Sequence, residues 1–359
     1  MTTRNPVPAE VFPVSEYLRD ELEARGWTGA EFAQIIGRPS QVVSEILNDR
    51  KEITAETATE IAAATGTTPE TWLRLQDAYR LWKLGNEPAT AKLTDVQRRA
   101  KLRSLVPVNE LVKRGEVPAT GLDEQEQAIR ALLGISALEE TPRFAIAARR
   151  SDRGEPLSPP QVAWLALVHR RASQRSAAAF SYDALVKLSA GLTESITSPG
   201  DLRLVPLRIE ETGVRVVYVP PFRSSKIDGA AFVDDHGPVI GLSGRIDRLD
   251  SVLFTLLHEI AHLVLGHVNE GFVIDIDLGA EGEHACEREA DQQAAQWCLP
   301  TPPSITPPYS RGSVIAEADR IGVHPAVLIG HLQHSGKLPW SHLNNLIPKV
   351  RNELSAWPM

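Results

Sequence analysis

His258 and His262 are the residues of this chain whose type and spacing are best suited to chemistry. Residues four apart in a helix project from the same face, so both imidazoles can reach one metal ion. Glu259 lies beside that row, where a carboxylate can hydrogen-bond a water at the metal and accept its proton. The His-Glu-x-x-His motif therefore predicts a zinc centre that hydrolyses peptide bonds, with Glu259 as general base.

A catalytic zinc site has three protein ligands and one open position, so this pair needs a third ligand. The helix expected from about residue 283 to 297 offers several donors of suitable chemistry: Glu283, His284, Cys286, Glu287, Glu289 and Asp291. We expect Glu287 to be the ligand, because Glu287 and Asp291 are four apart on one face. Asp291 can then orient a ligand histidine from behind. Glu289 remains the alternative carboxylate, and a Cys286 thiolate is chemically feasible.

The elements around the motif must hold these side chains in a dry and rigid setting. The segment from Leu249 to Val268 is strongly apolar and predicts a buried helix. Upstream, residues 214–219 are β-rich, and residues 230–242 predict a hairpin with its turn at 234–237. The motif is thus expected on a helix that directly follows a small sheet.

Four further residues are candidates for a role in this site or in the core beside it. His267 lies nine positions after His258, about half a turn off the ligand face, so we expect it at the helix end and not on the metal. Tyr218 and His236 are candidates to stabilise an oxyanion, but their positions in the sequence do not bring them near the metal. Cys298 follows the apolar side of its helix and is expected in the core.

The hairpin, the segment FTLLHEIAHLVLGH (254–267) and the segment CEREADQQAAQWCLP (286–300) together resemble the ImmA/IrrE family of zinc metallo-endopeptidases. The resemblance covers about residues 205–300. Members of this family are bacterial and phage proteins that cleave or otherwise inactivate repressors. The resemblance implies His258 and His262 as zinc ligands, Glu259 as catalytic base and a glutamate within 287–291 as third ligand.

The N-terminal stretch 21–76 has the layout of a five-helix helix-turn-helix domain. Apolar residues recur there at helical spacing, and Gly26, Gly37 and Gly66 separate the segments. Residues 30–36 would form the supporting helix, 37–39 the turn and 40–47 the recognition helix, whose first side chains would face base edges. The stretch is similar to the Xre-type, HigA-like antitoxin family, including the ending WLRLQ (72–76).

The side chains expected to contact DNA are Arg38, Ser40, Gln41, Ser44 and Arg50. Residues 1–86 contain nine Lys or Arg against thirteen Asp or Glu, and this net charge of −4 disfavours contacts with phosphates. Many relatives carry Gln directly after the Thr that opens the supporting helix, where this chain has Gly29. The module is expected to bind DNA, with a fold kept for dimerisation or partner docking as the alternative.

Length and pattern predict a mainly α fold with a small β-sheet and more than one domain, because 359 residues exceed what one core usually organises. We expect a helix-turn-helix domain at 1–86, a helical middle region at 87–200, a zincin-like α+β peptidase domain at 201–300 and a C-terminal helical segment at 301–359. The net charge of −8 argues against a protein built wholly around nucleic acid. Two cysteines and the lack of a long apolar run predict a cytoplasmic protein.

Two functions fit these patterns. The first is a zinc-dependent endopeptidase that cleaves a regulatory or DNA-associated protein, such as a repressor or a toxin–antitoxin component. The second is an antitoxin-type transcriptional regulator whose zinc domain senses a signal or docks a partner without significant turnover. Glu259 favours the enzyme, because a purely structural zinc site has no use for a base. A homodimer is expected in both cases, since helix-turn-helix proteins commonly dimerise to match palindromic sites.

Overall fold

The computed structural model describes residues 11–86, 89–145, 156–270, 273–276 and 285–357. The chain divides into two compact units, Met1–Arg98 and Arg99–Met359. Helices predominate in both units, and the second contains a four-stranded sheet, so the expected mainly α fold with a small sheet is confirmed. Within these described ranges, no helix is both long and apolar enough to cross a membrane.

The first unit contains the five helices predicted for a helix-turn-helix domain. They are α1 (Val14–Arg25), α2 (Gly29–Ile35), α3 (Ser40–Leu47), α4 (Ala55–Thr65) and α5 (Pro69–Asn86). Thr28 caps α2 by accepting a hydrogen bond from the backbone N–H of Glu31, whose carboxylate accepts from the Thr28 N–H in return. Gly26 and Gly66 end α1 and α4 in the left-handed conformation. The apolar faces of the helices meet in one core around Ile61.

The division between the units falls within α6 (Ala89–Leu105), and the second unit continues with further α-helices. These are α7 (Val108–Lys113), α8 (Leu122–Leu133), α9 (Pro159–Ser173), α10 (Tyr182–Ala190), α11 (Val205–Glu210), α12 (Leu249–Val264), α13 (Ala285–Cys298), α14 (Arg311–Ile321), α15 (Pro325–His334) and α16 (Arg351–Ser355). The strands are β1 (Arg215–Tyr218), β2 (Ile227–Asp234), β3 (Gly237–Leu242) and β4 (Val273–Ile276).

The sheet has the order β1-β3-β2-β4 and separates two hydrophobic cores. β1 pairs with β3 in parallel, whereas β2 is antiparallel to both β3 and β4. Because neighbouring strand residues point to opposite faces, Val216 and Ile240 enter the core that contains α12. Val217 and Val239 enter the other core, where they join Trp164 of α9. The metal-motif helix therefore lies against one fully covered face of the sheet.

Three local expectations can be compared directly with these elements. The hairpin is confirmed as β2 and β3, which pair from Gly229 opposite Leu242 to Asp234 opposite Gly237. The motif helix begins at Leu249 as expected but ends at Val264, so the expected end at residue 268 was wrong. Gly266 adopts a φ of 77° there, which reverses the chain. The following helix begins at Ala285 in the structure, and the expected start at 283 lies outside the described residues.

Candidate metal centre

The helix α12 holds His258, Glu259 and His262 in a fully buried position. All three side chains have 0% exposure, and Leu253 and Leu257 on the same helix are equally buried in the core beside the sheet. The apolar stretch that predicted the helix therefore also removes the motif from bulk water. Electrostatic interactions at such a site are stronger than at the surface, since little solvent screens them.

Three donor atoms converge beside α12: Nε2 of His258, Nε2 of His262 and Oε2 of Glu287 from α13. The two nitrogens are 2.9 Å apart, and Oε2 of Glu287 is 3.2 Å from the His258 nitrogen and 3.5 Å from the His262 nitrogen. Tetrahedral zinc with bonds of about 2.0–2.1 Å separates its ligand atoms by about 3.3 Å. The spacing and the chemistry of this donor set therefore fit a zinc ion.

The outer nitrogen of each motif histidine also has a partner. Nδ1 of His258 is 2.9 Å from Oδ1 of Asp291, and Nδ1 of His262 is 3.0 Å from Nδ1 of His267. Nε2 of His267 in turn is 3.2 Å from Oε2 of Glu289. A proton on Nδ1 of each motif histidine satisfies both contacts and leaves each Nε2 with its lone pair. The surroundings thus select the tautomer that a metal ligand needs.

The electrostatics favour the protonation states that bind a cation. Burial lowers the pKa of His262 below its ordinary value of 6.5, which keeps this imidazole neutral at pH 7. A neutral imidazole such as His262 is a common ligand of catalytic zinc, as is a glutamate carboxylate.

The Glu259 side chain packs against Gly229 of β2, where a larger residue would collide with it. A Cβ added to Gly229 would be 2.3 Å from Oε1 of Glu259 and 2.9 Å from its Cδ and Cγ. Gly229 pairs with Leu242 on β3 and with Asp275 on β4, so the strand is held on both sides. The lack of a side chain at Gly229 therefore makes room for the carboxylate that we expected to act as the base.

The other expected donors lie elsewhere or have other contacts. Glu289 is 61% exposed and contacts His267, and Cys286 is exposed on α13. Among the described residues, the only metal-binding group of three is His258, His262 and Glu287. Glu283 and His284 lie outside the described residues.

Neither candidate for the oxyanion stabiliser reaches the motif. The groups that act on the Tyr218 hydroxyl include Arg351 and Ser355 of α16, and burial raises the Tyr218 pKa. His236 is exposed in the turn between β2 and β3, seven residues from Gly229 and therefore about 20 Å along the strand. The sequence pattern did not predict the contact of His267 with His262 or that of Gly229 with Glu259. The glycine at position 266 is the one local sign that the chain reverses before His267.

The expected DNA-contacting residues lie on or beside α3 in the first unit. Ser40 begins the helix, and Ser40, Gln41 and Ser44 are all exposed. The Gln41 amide donates to Glu45, whereas the backbone carbonyl of Ser44 accepts from Asn48. This helix therefore presents short polar side chains on its outer face.

The two expected arginines differ in their surroundings. Arg38 donates to both oxygens of Glu60, at 2.7 and 3.0 Å, and this pair raises the pKa of Arg38. Arg50 is exposed after the end of α3. Arg38 must therefore share its charge between Glu60 and any phosphate, whereas Arg50 projects into solvent.

Comparison with known proteins assigns both modules. Residues 18–73 match a helix-turn-helix family, and residues 209–328 match the Peptidase_M78 family, described as an IrrE N-terminal-like domain. The chain is 40% identical over 86 residues to antitoxin HigA-1 of Vibrio cholerae, which spans 24% of this chain and 76% of that protein. It is 38% identical over 85 residues to an uncharacterised helix-turn-helix-type transcriptional regulator of Haemophilus influenzae, which spans 23% of this chain and 75% of that protein.

One solved structure is an addiction module antidote protein of a HigA family from Coxiella burnetii, 34% identical, with a TM-score of 0.22. The match covers 22% of this chain and 88% of that one. Identity of 40% over most of a relative's length is sufficient to assign a family. The chain belongs to the HigA-like helix-turn-helix family through its N-terminal module, and it carries an IrrE N-terminal-like domain of the Peptidase_M78 family at residues 209–328.

Proposed function

We propose that this chain is a DNA-binding regulator with a zinc metallo-endopeptidase domain that cleaves a regulatory or DNA-associated protein. The observation that carries the proposal is the convergence of His258 Nε2, His262 Nε2 and Glu287 Oε2, with the buried carboxylate of Glu259 on the same helix. A site that only stabilised the fold would need a fourth protein ligand and no neighbouring base. The described residues offer a group of three potential ligands, and Glu259 provides a neighbouring carboxylate on the same helix.

In this mechanism His258, His262 and Glu287 would hold the zinc ion. When bound, zinc supplies a Lewis acid that polarises a peptide carbonyl and lowers the pKa of water. Asp291 fixes the ring orientation of His258, and His267 does the same for His262. Glu259 accepts the proton of the attacking water and later delivers it to the leaving amine. Because Glu259 is fully buried, solvent screens its charge little.

The N-terminal module would direct this activity to DNA. Ser40, Gln41 and Ser44 are the residues that we assign to base edges or phosphates, and Arg50 is assigned to a phosphate. Arg38 is also assigned to DNA, but it should contribute less binding free energy, because its ion pair with Glu60 must be weakened first. The relatives named as an antitoxin and as a transcriptional regulator support this assignment. Cleavage of a protein bound nearby on DNA would then change transcription.

The test of the enzyme uses two matched variants and the full chain. Wild type and Glu259→Gln are first assayed for bound zinc, and both are then incubated with cell lysate and with purified repressors encoded nearby. We expect equal zinc content and loss of a specific cleavage in Glu259→Gln. Equal regulation and equal fragment patterns for both proteins would instead favour a regulator without turnover.

The third ligand is tested by a second matched pair. Glu287→Gln is expected to lower zinc content well below one per chain, since the amide oxygen carries no charge. Glu289→Gln has the same chemistry two residues away, and we expect it to keep zinc, because Glu289 is 61% exposed and contacts His267, which is not a proposed ligand. Zinc retained by Glu287→Gln would remove Glu287 from the ligand set.

DNA binding is tested by selecting sequences that the wild type binds and then measuring affinities over a range of salt. Arg50→Ala is expected to weaken all sequences similarly and to reduce the salt slope by about one. Gln41→Ala is expected to relax the choice at one base position, at a cost of about 1–3 kcal/mol. No selected sequence at any salt concentration would leave this fold with a role in dimerisation or partner docking.

A further inference from the structure

A cavity of about 320 Å³ lies between α12, α13 and α15. Phe254, Cys298 and Val327 contribute apolar walls, one from each of the three helices. The Phe254 ring stacks on the His334 ring with 6.2 Å between their centroids. The cavity is thus lined by aromatic and aliphatic side chains from three helices.

This cavity adjoins the candidate metal centre on the Nδ1 side of His258, away from the three donor atoms. Asp291 lines the cavity, and its Oδ1 is the partner of His258 Nδ1 at 2.9 Å. Nδ1 and Nε2 point in different directions from an imidazole ring, and Nε2 of His258 is the atom that faces His262 and Glu287. An occupant would therefore touch the carboxylate that orients the ligand and would act on the metal only through it.

The lining selects the chemistry of the occupant. The cavity volume of about 320 Å³ is within the range of small-molecule pockets and is large enough for a fused two-ring aromatic. A carboxylate has two acceptor oxygens, and Oδ2 of Asp291 can accept from a cationic donor while Oδ1 keeps its partner. Asp250 adds a second carboxylate to the lining, although Arg248 pairs with it at 2.8 Å.

The two histidines of the lining add no positive charge at neutral pH. Burial lowers the pKa of both His331 and His334 below the ordinary 6.5. Their rings can stack on an aromatic occupant, as His334 already does on Phe254. The Asp291 carboxylate lies among apolar and aromatic lining groups, and this combination is suited to an aromatic amine.

We propose that this cavity binds a small aromatic amine as an effector, which tunes the metal centre through Asp291 and His258. The proposal rests on the metal centre proposed above and adds a ligand class and a route of regulation to it. A cationic amine beside Asp291 would draw on the negative charge of its carboxylate, which otherwise strengthens the hydrogen bond to Nδ1 of His258. Since such partners change metal affinity by about 10–100-fold when removed, we expect the amine to weaken zinc binding by a smaller factor.

The first measurement is calorimetric binding of tryptamine to the zinc-loaded full chain, with indole-3-acetate as the anionic counterpart. We expect one tryptamine per chain and affinity at least about tenfold higher than for indole-3-acetate, since the acid meets Asp291 as a like charge. Ala295→Phe fills the cavity from α13 and should weaken tryptamine about tenfold or more. Gln296→Phe adds the same ring at the next, exposed position and should leave binding unchanged.

The second measurement is the rate at which a chelator removes zinc. Saturating tryptamine should accelerate zinc loss by about threefold to tenfold in the wild type and in Gln296→Phe, but not in Ala295→Phe. Absence of tryptamine binding to a zinc-loaded chain would overturn the proposal while leaving the peptidase intact. Binding without any change in zinc loss would overturn the coupling through Asp291, and competition with a cleaved substrate would assign the cavity to the substrate. A chain that binds no zinc would instead refute the proposed function.

Discussion

Replacing Gly229 by Ala tests whether β2 positions the base. The added Cβ would lie 2.3 Å from Oε1 of Glu259, about 1 Å inside van der Waals contact, and Glu259 is fully buried and cannot retreat into water. Overpacking of this kind costs about 1–3 kcal/mol of unfolding free energy. Displacement of a catalytic group by about 1 Å costs about 100-fold in rate. Zinc content should not change, because the three atoms nearest the added Cβ all belong to Glu259 and not to a proposed ligand.

The assay is urea unfolding at a fixed zinc concentration, together with zinc content and the rate of substrate cleavage. Gly312→Ala is the matched control, since nothing lies within 4 Å of the added Cβ there, and it should alter stability by less than about 1 kcal/mol. A double-mutant cycle with Glu259→Ala isolates the contact, because that variant lacks all three atoms that the new Cβ would meet. If Gly229→Ala destabilised both backgrounds equally, the contact with Glu259 would not be the cause and the reasoning would be refuted.

Two further predictions concern the thiols and one buried histidine. Burial raises the pKa of Cys298 to about 12, so at pH 8 only about one part in 10⁴ is thiolate, and one thiol per folded chain (the exposed Cys286) should react quickly with an alkylating reagent. Two fast thiols before denaturation would contradict this. Nδ1 of His324 accepts from the backbone N–H of Ala326 and so caps α15, while burial lowers the His324 pKa below the ordinary 6.5. Because the unfolded chain then binds more protons, the unfolding free energy should fall as pH drops below about 6.5. His324→Asn keeps a capping group and should reduce that loss, whereas His236→Asn at an exposed turn should not.

The parts of this site that follow from local patterns could be predicted from the sequence. The spacing of His258 and His262 depends only on helical geometry, and the pair Glu287 and Asp291 repeats that spacing on the next helix. The hairpin of β2 and β3 also follows from alternation and a turn. These features involve neighbours in the chain, so no tertiary information was needed to find them.

Other features depend on chain reversals that a periodic pattern does not encode. His267 faces away from the ligand row if the helix continues, and it meets His262 only because the chain turns at Gly266. Gly229 is thirty residues before Glu259, and only the packing of α12 on the sheet brings them together. β4 is a strand of four residues with no pattern that sets it apart, and it is identified by its pairing with β2.

These tertiary contacts determine what the motif can do. A helix with His258, Glu259 and His262 can bind zinc weakly, but each of the three side chains needs a partner from another element to adopt one orientation. Asp291 orients the first histidine and His267 the second, while Gly229 leaves space for the carboxylate. The supports also differ in exposure, since Glu289 behind His267 is 61% exposed whereas Asp291 is 34% exposed and lines a cavity. Solvent screens the charge of Glu289 more than that of Asp291. A ligand beside Asp291 can therefore change the proposed metal centre more strongly than one beside Glu289, and the regulation proposed for Asp291 follows from that difference.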